Sequence, residues 1–255
     1  MNKSGNFGMR VHQWVSFLPP MVRIPRAKAV FWPGCALMNY DPAIPARTLA
    51  VLRREEPMEF AAGCCGQPTR HLVPRRLTAR KNRLKKAFAQ AGVERVYTAC
   101  PNCALQLEAL GCVQAIPVWP VLARHIRPED LHILSDSYVV HDSCPLRKEP
   151  EQQQAVRSLL EVAGVPWAEP AHTKENARCC GNHNMLRATD PAASKKIRRL
   201  RLSDFPEERC ITACCAGCLD AFGSEGRRTA HILEILFGKS TSKGWGNRLK
   251  FTFRR

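Results

Sequence analysis

Residues 64–66 read Cys-Cys-Gly and residues 100–103 read Cys-Pro-Asn-Cys; residues 179–181 read Cys-Cys-Gly and residues 215–218 read Cys-Ala-Gly-Cys. The second set repeats the first at a constant offset of 115 residues. Each set has one further cysteine upstream, Cys35 and Cys144, just after a short strand-like run. Ten of the 13 cysteines therefore fall into two five-cysteine constellations. Such a repeat predicts two similar halves of roughly a hundred residues each.

The segments between the cysteines support that division. Ala29–Trp32 is a short apolar run ending at Pro33-Gly34-Cys35, and Met58–Ala62 is a second strand candidate stopped by Gly63. Pro45 suits the first turn of a helix carrying Leu49 and Leu52. Leu77, Leu84, Phe88 and Ala91 recur at helical spacing up to Gly92, and Val93–Thr98 leads as a strand into Cys100. The second half replays the order: Tyr138–Val140 as strand, Ala155–Ala163 as helix, Val165–Ala168 as strand, Lys195–Leu202 as helix and Cys210–Ala213 as strand. Residues 229–237 read as a last helix.

Strands alternating with helices predict an α/β fold with two pseudo-symmetric lobes, each a small parallel sheet flanked by helices. Ligands in such folds gather at the carboxyl ends of strands, where Cys35, Cys100, Cys144 and Cys215 fall. The expected divisions are a basic N-terminal tail (1–28, with a short amphipathic turn around Trp14–Leu18), a first lobe (29–137), a second lobe (138–238) and a basic C-terminal tail (239–255).

The net charge of +17 is local. Residues 1–28 carry five basic groups, residues 239–255 carry six, and neither has an acid; Arg70–Arg95 holds nine basic residues against Glu94. The basic helices read either as solvated faces or as a counterweight to thiolates, an anionic substrate or an acidic partner. The same groups suit nucleic-acid phosphates, but no recognised nucleic-acid module accompanies them, so that class is set aside. The C-terminal tail, with Trp245, Phe251 and Phe253 among its basic residues, suits either solubilisation or peripheral contact with anionic lipid. The longest apolar runs fall short of a membrane span, and the first residues lack a signal-peptide pattern, so a cytoplasmic location is the default expectation.

In that compartment, cysteine-rich chains point to metal or redox chemistry. Adjacent α-carbons sit about 3.8 Å apart, below the roughly 4.4 Å usual for disulfide partners. Cys64 and Cys65, or Cys179 and Cys180, instead present two sulfurs to one inorganic centre. A Cys-x-x-Cys opening a helix favours thiolates, and alone suits zinc, an iron–sulfur cluster or a redox dithiol. Tetrahedral zinc and a cubane cluster both take four ligands, whereas each half offers five. The ferredoxin run is missing, since position 106 is Gln and position 221 is Ala. There is no Gly-x-Gly-x-x-Gly and no phosphate-binding loop, so no flavin, nicotinamide or nucleotide site is evident.

The order Cys…Cys-Cys-Gly…Cys-x-x-Cys, present twice, resembles the cysteine-rich CCG domain family over roughly residues 29–238. Trp32-Pro33-Gly34-Cys35 is similar to the family's Pro-Gly-Cys and His141-Asp142-Ser143-Cys144 to its His-Asp-x-Cys. Members include the B-type subunit of heterodisulfide reductase, the iron–sulfur subunit of glycolate oxidase, lactate-utilisation proteins and an anchor-like subunit of some succinate dehydrogenases. The resemblance to the B-type heterodisulfide reductase subunit implies two non-cubane [4Fe–4S] clusters that together split a disulfide. One would be held by Cys35, Cys64, Cys65, Cys100 and Cys103, the other by Cys144, Cys179, Cys180, Cys215 and Cys218.

The family also implies an oxidoreductase subunit working with a redox partner, a flavoprotein or a ferredoxin-type iron–sulfur protein, on a small thiol or disulfide substrate. Two alternatives stand beside it. One is a non-catalytic electron-transfer or docking subunit of a flavin-dependent lactate or glycolate dehydrogenase. The other is a zinc-stapled interaction module; one cluster with one zinc is the intermediate case.

This sequence departs from its own repeat in two places. The gap from Cys35 to Cys64 is six residues shorter than that from Cys144 to Cys179, and Cys214 adds a thiol that could replace Cys215. His71, His141 and His183 are weak proton-donor candidates, more often hydrogen-bonded scaffold. Cys112 and Cys210 read as core thiols, and Trp32, Trp119 and Trp167 as packing residues.

Overall fold

The computed structural model describes residues 3–253. These divide into two compact units, one of residues up to Val118 together with those from Thr241 onward, the other Trp119–Ser240. Each unit holds a four-stranded parallel sheet of the same topology.

In the first unit, α1 (Lys3–Val15) precedes β1 (Ala29–Trp32), α2 (Ala43–Leu52), β2 (Glu59–Phe60), α3 (Gln67–Leu72), α4 (Leu77–Ala91), β3 (Arg95–Thr98), α5 (Pro101–Glu108) and β4 (Gln114–Pro117). The sheet order is β2-β1-β3-β4, with Phe31 opposite Phe60 and Trp32 opposite Thr98. β1 is buried on both faces, as a strand covered by helices on each side must be. Val30, Trp32, Leu84, Phe88, Val96 and Leu107 form the core, and Cys64, Cys65 and Cys103 are part of it.

The second unit begins within α6 (Val118–His125). It continues through β5 (Tyr138–Val140), α7 (Pro150–Val162), β6 (Trp167–Ala168), α8 (Leu186–Thr189), α9 (Pro191–Leu202), β7 (Cys210–Ala213), α10 (Ala216–Gly223), β8 (Thr229–His231) and α11 (Ile232–Phe237). Its sheet order, β6-β5-β7-β8, matches the first. Val139, Phe205, Ile211 and Phe222 pack around Cys180, Cys215 and Cys218. The chain then returns to the first unit with α12 (Trp245–Phe253).

Two expectations change, and one strand is added. Residues 229–237 are not one helix: Thr229–His231 pairs with β7, and the helix starts only at Ile232, where the His231 ring and the Glu234 carboxylate cap it reciprocally. β4 is a second edge strand that the pattern does not reveal, because its half-exposed residues alternate neither in hydrophobicity nor in burial. The first residues also form a three-turn helix rather than a short turn. Its apolar residues Phe7, Val11 and Trp14 face outward, while Gln13, and Ser16 just beyond the helix end, are fully buried. Hydrophobic periodicity cannot show a helix whose buried stripe is polar.

Candidate metal centres

In the first unit, three strand ends converge. β1 runs into Pro33-Gly34-Cys35, β2 leads to Cys64-Cys65-Gly66, and β3 delivers Cys100 as the residue capping α5, one turn before Cys103. The thiols form a continuous chain of S–H···S contacts, Cys35 to Cys64 to Cys65 to Cys103 to Cys100. Two glycines make room for it. A Cβ on Gly34, which has φ +91°, would lie 2.9 Å from Cys100 Cβ and 3.3 Å from Cys103 Sγ. A Cβ on Gly63 would strike the Trp32 ring at 2.3 Å.

One member of the chain is poised as thiolate. Hydrogen bonds from Cys35 and Cys65, with the Gly66 backbone N–H, hold Cys64 well below the ordinary thiol range against the opposing effect of burial. Cys35 is correspondingly pushed up, first by its hydrogen bond to Cys64 and then by burial.

The two terminal helices close over this site. Gln13 of α1 donates from Nε2 to Cys64 Sγ at 3.7 Å. Arg80 of α4 holds that helix by donating to Gln13 O at 2.8 Å and Gln13 Oε1 at 3.0 Å. Its guanidinium also stacks 4.1 Å over Phe17, and Arg83 donates to Phe17 O. Arg248 of α12 is buried with Nη1 3.2 Å from His12 Nε2, and its charge acts on Cys35. Burial, helped by Arg248 and opposed by Cys64, keeps His12 below the usual imidazole range.

The second unit repeats the core of this arrangement. Its contact chain runs Cys144 to Cys179 to Cys180 to Cys218 to Cys215, position for position as in the first. Cys179 is the counterpart of Cys64, its thiol held far below the ordinary range by Cys144 and Cys180 and by the backbone N–H groups of Gly181 (3.3 Å) and His183, against the opposing effect of burial. Unlike Cys64, Cys179 is half-buried. A Cβ on Gly181 would meet Ser194 O at 2.4 Å, which brings α9 hard against the Cys-Cys-Gly turn.

The predicted residues therefore separate. Cys215 caps α10 as Cys100 caps α5 and touches Cys218, whereas Cys214 Sγ points to Ser143 Oγ. His141 lies with a ring nitrogen, Cys180 Sγ and Cys218 Sγ all within 4.8 Å of one another. Arg201 Nε can only donate to His141 Nδ1 (3.2 Å), so the imidazole proton sits on Nε2, which is buried and without a hydrogen-bond partner among the described residues. Burial, with the charge of Arg201, holds this ring neutral down to about 3. Trp32 occupies the matching position in the first unit, and its Nε1 is likewise buried and unpartnered among the described residues.

His183 contributes its backbone N–H while its side chain is exposed, and His71 is half-buried on α3. Cys210 is buried as expected, but Cys112 is exposed, in the turn that Gly111 makes between α5 and β4. The basic helices serve both expected ends: Lys85, Lys86, Lys195 and Lys196 are solvated, while Arg80, Arg198 and Arg201 turn inward. His12, Gln13, Thr69 and Arg248 escaped the sequence reading because no spacing ties them to the cysteines.

The donor set fits an iron–sulfur group. Each centre offers five sulfurs joined in one chain of contacts, one more than tetrahedral zinc or a cubane cluster takes. Gly34 leaves open the volume beside two of them.

The chain matches the family model described as a cysteine-rich domain, CCG, over residues 29–108 and again over 138–223. It is 25% identical over 239 residues to the D-type subunit of the dihydromethanophenazine:CoB–CoM heterodisulfide reductase of Methanosarcina mazei, covering 80% of this chain and 56% of that protein. The corresponding protein of Methanosarcina barkeri is also 25% identical, over 240 residues with the same coverage. The chain thus spans about half the length of these curated relatives. Among solved structures, glutamate racemase from Campylobacter jejuni aligns with a TM-score of 0.36 at 12% identity, covering 81% of this chain and 80% of that one. Picrophilus torridus aspartate racemase gives 0.35 at 8% identity, covering 90% and 96%. Likenesses that distant bear on neither function nor site. With both halves matched by the family model, the chain belongs to the CCG cysteine-rich domain family.

Proposed function

We propose that the chain is an iron–sulfur redox protein, one component of a larger complex, that reduces a disulfide or a related two-electron thiol substrate. The carrying observation is the pair of five-thiol chains with identical order of contact. Cys35, Cys64, Cys65, Cys100 and Cys103 would hold one non-cubane [4Fe–4S] cluster, and Cys144, Cys179, Cys180, Cys215 and Cys218 the other. Such clusters supply single electrons and iron with affinity for sulfur. Overall, one disulfide, two electrons and two protons give two thiols, the electrons arriving from a flavoprotein or ferredoxin-type partner.

The chain's own residues divide the work. Cys64 is fully buried with Gln13 of α1 against it, which suits the first centre to relay electrons. Each centre has two half-buried thiols, Cys35 and Cys100 in the first and Cys144 and Cys179 in the second. The difference is that Cys179 is half-buried where its counterpart Cys64 is buried, which suits the second centre to meet substrate. Beside it, His141 presents an N–H to the sulfurs and can orient an incoming sulfur atom. Arg147 places a positive charge near Cys144, suited to an anionic thiol.

Iron, acid-labile sulfide and zinc per chain after anoxic purification test this. About eight irons fit two four-iron clusters. About four irons with one zinc would favour the electron-transfer subunit of a hydroxy-acid dehydrogenase instead. Zinc alone, after attempted anoxic reconstitution, would end the redox reading.

A further inference from the structure

Among the groups around the two centres, Gln13 stands apart, because it comes from outside both repeats and has no counterpart in the second unit. It is fully buried, and its amide cannot turn. Oε1 accepts from Thr69 Oγ1 at 2.6 Å and from Arg80 Nη1 at 3.0 Å. Arg80 Nη1 also donates to Thr69 Oγ1 at 2.6 Å, so the threonine's own proton is left for Gln13. Two donors fix the oxygen end, and the NH2 end must therefore face Cys64, at an ordinary N–H···S distance of 3.7 Å. His12 Nδ1 lies 3.3 Å from the same nitrogen and completes its surroundings.

We propose that Gln13 is a positioning residue for the first metal centre, acting through Cys64 to raise that centre's reduction potential. The inference rests on the iron–sulfur reading above. A donor on a ligating sulfur draws off negative charge and favours the reduced state, and it does so more strongly in a water-excluded site. Apart from its neighbouring thiols Cys144 and Cys180, Cys179 receives backbone donors, from Gly181 and His183, and no amide side chain donates to it among the described residues. The two centres therefore differ in potential for a reason that lies outside the repeats, in α1.

The test uses the full chain with both centres loaded. Gln13→Glu keeps an oxygen for Thr69 and Arg80 and removes the donor; Gln13→Met removes the donor without adding charge. In redox titrations followed by electron paramagnetic resonance, one couple shifts to a more negative potential in both variants and the other stays fixed. A tenfold fall in its reduction equilibrium constant corresponds to about 59 mV for one electron.

A second measurement reads the unsubstituted protein first. Glutamine labelled with 15N in its side chain gives a nitrogen hyperfine coupling in the unsubstituted protein, and the coupling is lost in Gln13→Met. Iron at both centres with unmoved couples, or no glutamine coupling in the unsubstituted chain, overturns the proposal and leaves the function standing. A chain that holds only zinc sinks both.

Discussion

Cys214 Sγ lies 3.5 Å from Ser143 Oγ, while its neighbour Cys215 turns the opposite way to reach Cys218. Successive residues at a strand end point to opposite sides, so a single step along the chain decides which thiol joins the cluster of sulfurs. Cys215→Ser is expected to lose the iron of the second centre, and Cys214→Ser to keep it. Iron per chain for the two variants checks this; equal loss would mean that the two thiols exchange.

Gly34 tests the first centre without touching a sulfur. Alanine there meets Cys100 Cβ at 2.9 Å and must adopt a φ of +91°. Gly34→Ala should lose about half the iron, all from the first centre. Gly92→Ala, at φ +69° with open space around it, carries only the backbone penalty, on the order of 1 kcal/mol, and should retain its metal. Iron content with circular dichroism separates the two outcomes.

Buried and exposed ion pairs should behave differently. Asp142 meets Arg157 at 2.6 and 2.7 Å, both side chains being 2–3% exposed, and Arg157 reaches on to Glu169. Arg157→Met strands a buried carboxylate and should cost about 3–5 kcal/mol in urea unfolding. Lys28→Met breaks only the exposed pair with Glu94 and should stay within about 1 kcal/mol. Similar losses in both would contradict the burial argument.

Acid should act through Glu56, whose carboxylate takes two hydrogen bonds from Arg95 at 2.7 Å and one from Tyr97 at 2.6 Å. The Arg95 fork, opposed by burial and helped by Tyr97, holds it below the usual carboxylate range. As pH falls, the unfolded chain takes up this proton first. The stabilisation is therefore complete above the unfolded value of about 4.3 and is lost as pH drops through the folded one. The stability gap between the parent and Glu56→Gln should be widest at neutral pH and close in acid. A gap that does not change with pH would refute it.

The repeat of ten cysteines made both sheets and the convergence of the thiols legible, because strand, turn and cysteine follow one another locally in each half. What stayed hidden is non-local or polar. β4 and β8 are short edge strands of three or four residues with no alternation to detect. Gln13 approaches Cys64 across 51 residues of sequence on a helix that buries its polar side. His141 could be singled out by its place in His-Asp-Ser-Cys, but its donor nitrogen is set by Arg201, 60 residues away.

Gly63 has room for nothing larger because the Trp32 ring fills the space where its side chain would be. The second unit has His141 in the tryptophan's place and Arg178, bound to Asp204 at 2.9 Å, in the glycine's. In the first unit, a side chain at position 63 requires a smaller residue at position 32. Transplanting the second half's turn into the first would therefore require replacing Gly63 and Trp32 together, so the two positions form one unit of design although they lie 31 positions apart.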